Sequence, residues 1–128
     1  MSFCPLVSAG NPQATARREE LVAMAIAADA MMSYAERNAD FARSMADAET
    51  DPARKTELLD IAEVCSWVPA HAPRTFHEAL QAYWFVHMGV VTELNTWDSF
   101  CPWRLDQHLE PFYAKGLADG TLTRASAM

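Results

Sequence analysis

Apolar side chains recur at steps of three and four residues along the first part of the chain. This spacing places them on one face of an α-helix, which turns once every 3.6 residues. The pattern predicts one long helix from about Ala14 to Ala48, and residues 1–13 before it are expected to form a disordered leader. The apolar positions are Leu21, Met24, Ala25, Ala28, Met31, Met32, Ala35, Ala39, Ala42, Met45 and Ala46.

The sequence Thr50-Asp51-Pro52 predicts the end of this helix and the start of another. Proline is favoured at the first helical position, and either Thr50 or Asp51 can cap the free N–H groups. The second helix is predicted from about Pro52 to Trp67, antiparallel to the first, so the two form a helical hairpin. Its expected inward positions are Leu58, Ile61, Ala62, Cys65 and Val68. The prolines in residues 68–73 then indicate a stiff connector without regular structure.

A third helix is predicted to begin at Phe76, because Thr75 and Glu78 match the capping-box spacing. From Ala79 to Leu94 its apolar residues cover almost the whole circumference, which is typical of a helix buried on all sides. Two amphipathic neighbours cannot cover such a helix. We therefore expect Tyr83, Trp84 and Phe85 not to be buried together in the isolated chain.

The remainder of the chain predicts a long loop followed by short helical pieces, so the fold class is mainly α. Residues 95–104 mix aromatic, small polar and charged groups without any period. Short helical turns are expected at residues 105–109 and 111–115, with Gly116 as a C-terminal stop. Asp119-Gly120 indicates a turn, and residues 121–124 resemble the cap of a further helix that does not follow.

The charge and apolar content of the sequence limit the kinds of partner that the chain can bind. The 128 residues carry a net charge of -7, which disfavours nucleic acid and anionic membranes as partners. The longest apolar run, Ala79 to Val91, is interrupted by polar residues, and the first twelve residues lack the pattern of a secretory signal. A cytoplasmic location is expected by default. Cys4, Cys65 and Cys101 are widely spaced and are interpreted as reduced thiols.

Candidate chemistry is confined to a few polar residues near the third helix and the loop. No nucleotide-binding, hydrolase or metal-binding motif occurs, and the four histidines are scattered, so no metal site is predicted. Glu93, Asp98, Arg104 and Asp106 adjoin apolar sequence, where charges must be paired or functional. Pairing of Arg104 with Asp106 or Glu93 is favoured over a substrate role.

Several strings in the second half of the chain resemble the pyruvate formate-lyase-like glycyl radical enzymes. They are residues 73–81 (PRTFHEALQ), Trp84 to His87, Glu93, residues 104–109 (RLDQHL) and residues 111–113 (PFY). The resemblance covers residues 27–124. Within the family it is closer to the lyases and dehydratases of the glycerol, choline and isethionate type than to pyruvate formate-lyase itself.

The resemblance implies a fragment of a ten-stranded α/β barrel wrapped in helices. Family enzymes carry a thiyl-forming Cys, often in Cys-x-Glu, and a radical Gly in R-V-x-G-Y, where an activating radical-SAM enzyme installs the glycyl radical. Neither string occurs in this sequence, so no catalytic residue and no cofactor are assigned to it. The family generally has Pro-Gly-Arg where this chain has Pro102-Trp103-Arg104, and Trp cannot adopt the positive φ open to Gly without strain.

Three hypotheses follow for function. The chain is a truncated or split portion of a glycyl radical lyase or dehydratase, residues 14–128 forming a partial domain that is inactive alone and pairs with the rest of the parent enzyme. Alternatively, it is a free-standing helical interaction module derived from that scaffold, whose apolar helix is covered by a self-association partner. A small enzyme using Asp98, Asp106 and His108 is least favoured. The residues assigned to a substrate pocket are Thr96, Trp97, Asp98 and Ser99, and those assigned a structural polar role are Glu93, Arg104, Asp106 and Gln107.

Overall fold

The computed structural model describes residues 12–93 and 104–127, and these form four helices without a strand. The helices are α1 (Pro12–Ala48), α2 (Pro52–Trp67), α3 (Phe76–Glu93) and α4 (Leu105–Ala118). The predicted mainly α class is confirmed. The bounds of α2 and the first residue of α3 agree with the sequence prediction, and α1 begins two residues earlier than predicted. Within the described ranges, no helix combines the length and apolarity that spanning a bilayer requires.

The chain divides into two compact units, residues 1–30 and 31–128. The first unit is described from Pro12 onward and consists of the first part of α1. Its larger apolar side chains are exposed to solvent, Leu21 by 62% and Met24 by 63%. The N-terminal positions of the predicted apolar stripe are therefore not core residues of this chain.

The core of the second unit lies between the C-terminal part of α1, the end of α2 and the middle of α3. One buried cluster contains Ala35, Ala39, Cys65, Val68 and Phe85. Ala35 and Ala39 lie 13 and nine residues before the end of α1, and Cys65 and Val68 lie 13 and 16 residues after the start of α2. Packing between residues at similar distances from the intervening turn is the arrangement of an antiparallel hairpin. Burial raises the pKa of the Cys65 thiol, because a thiolate would lose its hydration there.

Helix α3 crosses α1 at close range. A Cβ atom on Gly89 would lie 2.7 Å from the sulfur of Met31, so the missing side chain makes room for that methionine. Phe85 also packs edge-on against Tyr34, with ring centroids 5.7 Å apart. A neighbouring face of α3 is open, since Trp84 is 53% exposed whereas Phe85 is 3% exposed. Trp84 and Phe85 are thus not buried together, as the sequence predicts for a chain too short to surround this helix.

Helix α4 differs from the prediction of two short turns with a stop at Gly116. It continues through Pro111 and Gly116 to Ala118. Pro111 removes one backbone donor, but the flanking turns keep the helix continuous. Gly116 is buried, and a Cβ on it would lie 2.8 Å from Cβ of Leu122, so this glycine permits close packing of the returning chain.

The chain turns back after α4 at the predicted Asp119-Gly120 turn. Gly120 has φ +72°, a conformation that glycine adopts without strain. The predicted cap at residues 121–124 is centred on Thr123, whose hydroxyl accepts a hydrogen bond from the amide of Ser126 at 3.0 Å. The amide of Thr123 in turn donates to the Ser126 hydroxyl at 3.0 Å. This reciprocal pair has the form of a capping box with Ser in place of Glu or Gln.

Candidate functional site

Glu78 is the one charged residue found buried within the described ranges, with 3% of its surface exposed. It lies in the first turn of α3, and Ala79 beside it is also buried. A carboxylate without water must receive hydrogen bonds and a counter-charge, because its desolvation is otherwise costly. The surroundings of Glu78 therefore define the most organised polar site in this part of the molecule.

Arg74 supplies the counter-charge of Glu78 and most of its hydrogen bonds. Its Nε donates to Glu78 Oε1 at 3.0 Å, and its Nη2 donates to the same oxygen at 2.5 Å. The backbone amide of Arg74 donates to the other carboxylate oxygen, also at 2.5 Å. One residue thus neutralises the carboxylate and ties the connector before α3 to its first turn.

The capping box predicted for α3 is present in a modified form. The amide of Glu78 donates to the Thr75 hydroxyl at 3.2 Å, as predicted. The Glu78 carboxylate, however, accepts a hydrogen bond from the amide of Arg74, one residue before the expected partner Thr75. The ion pair with Arg74 explains this shift, because one carboxylate position satisfies the Arg74 amide and guanidinium together.

Trp67, the last residue of α2, holds the other side of Arg74. The guanidinium carbon lies 4.0 Å from the centre of the indole ring, which is a cation–π contact. The indole Nε1 donates to the carbonyl of Ala72 at 3.0 Å, and the ring of His71 stacks on the indole at 4.2 Å. We call Trp67, Arg74 and Glu78 the connector cluster, since together they join α2 to α3.

The electrostatics of the connector cluster keep both charges ionised near neutral pH. Burial of Glu78 acts to raise the pKa of its carboxyl group, but the hydrogen bonds and charge of Arg74 outweigh it, and the pKa is lowered from its ordinary value. The hydrogen bond to Glu78 correspondingly raises the pKa of Arg74. Since neither group changes charge near neutrality, the cluster is suited to positioning rather than to proton transfer.

A groove of about 840 Å³ opens beside the connector cluster, between α2, the start of α3 and the end of α4. We call it the α2–α4 groove. Its apolar lining includes Ile61, Val64, Phe76, Phe112 and Leu122. Phe76 also contacts Tyr113 of α4, with ring centroids 5.9 Å apart, and so links the two helices next to the groove.

The sequence-predicted polar residues fall into three groups. Thr96, Trp97, Asp98 and Ser99, assigned to a substrate pocket, lie outside the described residues. Glu93 is the last residue of α3 and is exposed. Arg104, Asp106 and Gln107 lie together at the start of α4.

Arg104 pairs with Asp106, one of the two partners that the sequence left open, the other being Glu93. Its Nε and Nη2 lie 3.2 and 3.1 Å from the two carboxylate oxygens, and its carbonyl accepts a hydrogen bond from the amide of Gln107 at 3.0 Å. The hydrogen bond from Arg104 lowers the pKa of Asp106. Both side chains are largely exposed, so the pair orders the first turn of α4 and adds little stability.

Sequence reasoning missed the connector cluster. Arg74 and Glu78 stand four residues apart within the string that carries the family resemblance, and that spacing suits a helical ion pair. The available signal was an Arg just before a predicted helix start and a Glu in its first turn. In the residues that the structure describes, acidic, histidine and cysteine side chains do not gather into a group suited to a metal ion.

Comparisons with known proteins agree with the resemblance. The family model described as pyruvate formate lyase-like matches residues 6–128. The trans-4-hydroxy-L-proline dehydratase of Clostridioides difficile is 57% identical over 111 residues, which are 87% of this chain and 14% of the dehydratase. The isethionate sulfite-lyase of Nitratidesulfovibrio vulgaris is 45% identical over 112 residues, or 88% of this chain and 14% of that enzyme.

A solved structure extends the agreement to three dimensions. The crystal structure of the C. difficile hydroxyproline dehydratase, with trans-4-hydroxy-L-proline bound, superposes with a TM-score of 0.89 and 53% identity. The match covers 96% of this chain and 16% of that one. The chain thus corresponds to a short piece, about 14%, of the curated relatives named above. Since the family model matches nearly every residue, the chain belongs to the pyruvate formate lyase-like family of glycyl radical enzymes.

Proposed function

We propose that this chain forms part of the helical wall of a glycyl radical lyase or dehydratase and is not catalytic by itself. The observation that carries the proposal is the 57% identity to a hydroxyproline dehydratase over a segment that makes up only 14% of that enzyme. A protein of this family would need the remaining polypeptide to reach the length of that enzyme. The rest of the parent enzyme is the partner in this proposal, and the cytoplasmic location expected from the sequence is retained.

Two features of the chain support an inactive role in isolation. The sequence contains neither the Cys-x-Glu nor the R-V-x-G-Y string that the family resemblance associates with radical transfer and storage. The connector cluster holds its charges in a fixed ion pair, which favours positioning of α3 over chemistry at Glu78. In the assembled enzyme the radical would be installed by a radical-SAM activase on a glycine of the remaining polypeptide.

The relatives suggest the reaction class of the parent enzyme. One is a dehydratase of trans-4-hydroxy-L-proline and another a sulfite-lyase of isethionate. Both names describe elimination of a small group, water or sulfite, from a small polar molecule. We infer an elimination of the same class here, and residues 96–99 remain the predicted contribution of this chain to the substrate pocket.

A segment exchange tests the proposal. This chain replaces the matching segment of the C. difficile dehydratase, and the chimera is activated anaerobically with the cognate radical-SAM enzyme. We expect a glycyl radical doublet in the electron paramagnetic resonance spectrum and turnover of trans-4-hydroxy-L-proline. The isolated chain, treated identically, should show neither. A doublet from the isolated chain, or a folded chimera without one, would contradict the proposal.

The exposed side of α3 favours one alternative, a free-standing interaction module. Leu80 and Trp84 stand one helical turn apart on the same side of α3 and are 41% and 53% exposed, which leaves an apolar surface for a second copy. Sedimentation velocity of the isolated chain separates the two ideas. A concentration-dependent dimer that Trp84→Glu abolishes would favour the module, and a monomer at all concentrations would favour the enzyme segment.

A further inference from the structure

The α2–α4 groove combines an apolar floor with one strongly acidic wall. Ile61 remains 44% exposed within the groove, and Phe76 and Phe112 are only partly buried. Solvent-exposed aromatic and branched side chains along a concave surface are a favourable site for the apolar face of another helix. Charge then determines which kind of helix fits.

The acidic wall belongs to α2. Glu57, Asp60 and Glu63 follow one another at steps of three residues and all line the groove. Asp119 adds a fourth exposed carboxylate from the end of α4. Four carboxylates along one concave surface produce a negative potential that attracts positively charged side chains.

The positive groups that line the groove do not cancel this potential. Arg74 is hydrogen-bonded to Glu78 in the connector cluster, so the two together add little net charge to the groove, and Arg74 interacts with Glu63 only through space. Lys115 on α4 is the remaining cation among the lining residues, and Arg54 of α2 pairs with Glu57 at 2.7 Å. Asp60, Glu63 and Asp119 therefore carry most of the unbalanced negative charge.

We propose that the α2–α4 groove is a docking site for a cationic amphipathic helix. The apolar residues of that helix would pack on Ile61 and Phe112, and its lysines or arginines would face Asp60 and Glu63. The origin of the helix, the remaining polypeptide of the parent enzyme, rests on the proposed function. The groove itself can be tested without it.

The test uses the full chain and a fluorescently labelled leucine–lysine peptide whose leucines stand at positions i, i+3, i+4 and i+7. Fluorescence anisotropy measures its dissociation constant for the wild-type chain and for the Asp60→Asn/Glu63→Gln variant. A matched control, Asp29→Asn/Asp47→Asn, removes two exposed carboxylates of α1 and gives the same net charge as the groove variant. Far-UV circular dichroism verifies that both variants keep the wild-type helix content.

We expect the groove variant to weaken peptide binding about threefold to tenfold, the range for two exposed charge pairs, and the control to leave it unchanged. Amide chemical shifts of Ile61 and Val64 should move on titration. Equal affinities of the two variants, shift changes confined to other residues, equal binding of a leucine–glutamate peptide, or no binding would each overturn the proposal. These outcomes do not depend on the radical measurement that tests the proposed function.

Discussion

Helices α2 and α3 both begin at capping side chains but differ in the surroundings of those side chains. At the start of α2, Asp51 accepts a hydrogen bond from the amide of Ala53 at 3.2 Å, and Glu49 accepts from the amides of Thr50 and Asp51 at 2.7 and 3.0 Å. All of these groups lie at the surface. At the start of α3, the carboxylate of Glu78 is buried and is paired with a cation.

The comparison separates a helix cap formed by neighbouring residues from an ion pair that depends on tertiary packing. An exposed cap competes with water, so its loss is partly compensated by solvation. A buried carboxylate has no such replacement, and removal of either partner leaves the other group poorly satisfied. The start of α3 should therefore respond far more strongly to substitution and to acid than the start of α2.

The largest effect is expected for Glu78→Ala. The substitution removes the acceptor for the Arg74 amide and guanidinium, and we expect the free energy of unfolding to fall by about 2–3 kcal/mol. This loss is smaller than the loss expected for a fully buried ion pair, because the Arg74 side chain is half exposed. Urea denaturation followed at 222 nm measures it. Glu110→Ala, at an exposed position of α4, is the control, and equal effects of the two would refute a special role for Glu78.

The pH dependence of the free energy of unfolding should also depend strongly on Glu78. Its folded-state pKa lies below its unfolded value of about 4.3, so its stabilising contribution is complete above that pH and is lost as pH falls through the folded pKa. The stability gap between the wild-type chain and Glu78→Gln should therefore be largest near neutral pH and shrink toward pH 3. A constant gap across that range would show that Glu78 does not titrate as the structure implies.

Trp67→Phe tests the opposite side of the connector cluster. Phenylalanine keeps an aromatic ring beneath Arg74 but lacks the donor to the Ala72 carbonyl, so we expect a loss of about 1 kcal/mol. Trp84→Phe provides the matched control, because Trp84 is 53% exposed. Thermal unfolding of both variants gives the comparison. A larger loss of stability for Trp84→Phe would show that the indole of Trp84, on α3, contributes more to stability than the indole of Trp67.

The sequence predicts the helices better than it predicts the polar site, and the difference has a physical basis. Helix ends at Pro52 and Phe76 depend on proline and on capping residues, which act within one turn. Burial of Glu78 depends on Trp67 and Arg74, whose positions follow from the path of the connector. The predicted helix stop at Gly116 is wrong, because the contact of this glycine with Leu122 is tertiary and is not encoded in the local sequence.

Asp51→Ala is expected to cost about 1 kcal/mol, the usual loss for an N-cap. The sequence left Thr50 and Asp51 as alternative caps, and the structure assigns the role to Asp51, whose side chain accepts from Ala53. Thr50→Ala should accordingly change stability much less. Urea denaturation of the two single variants distinguishes them, and a greater loss for Thr50→Ala would reverse the assignment.

Glu49→Gln should have the smallest effect of the series. The amides of Asp51 and Thr50 lower the pKa of the Glu49 carboxyl group, but the side chain is at the surface and a glutamine carbonyl can accept the same hydrogen bonds. We expect a stability indistinguishable from wild type at neutral pH, measured by urea denaturation beside Glu78→Gln. Both substitutions replace a carboxylate that accepts hydrogen bonds from backbone amides preceding a helix, and both remove one negative charge. The two sites therefore differ mainly in burial. If Glu49→Gln were as destabilising as Glu78→Gln, burial would not be the property that distinguishes the two helix starts.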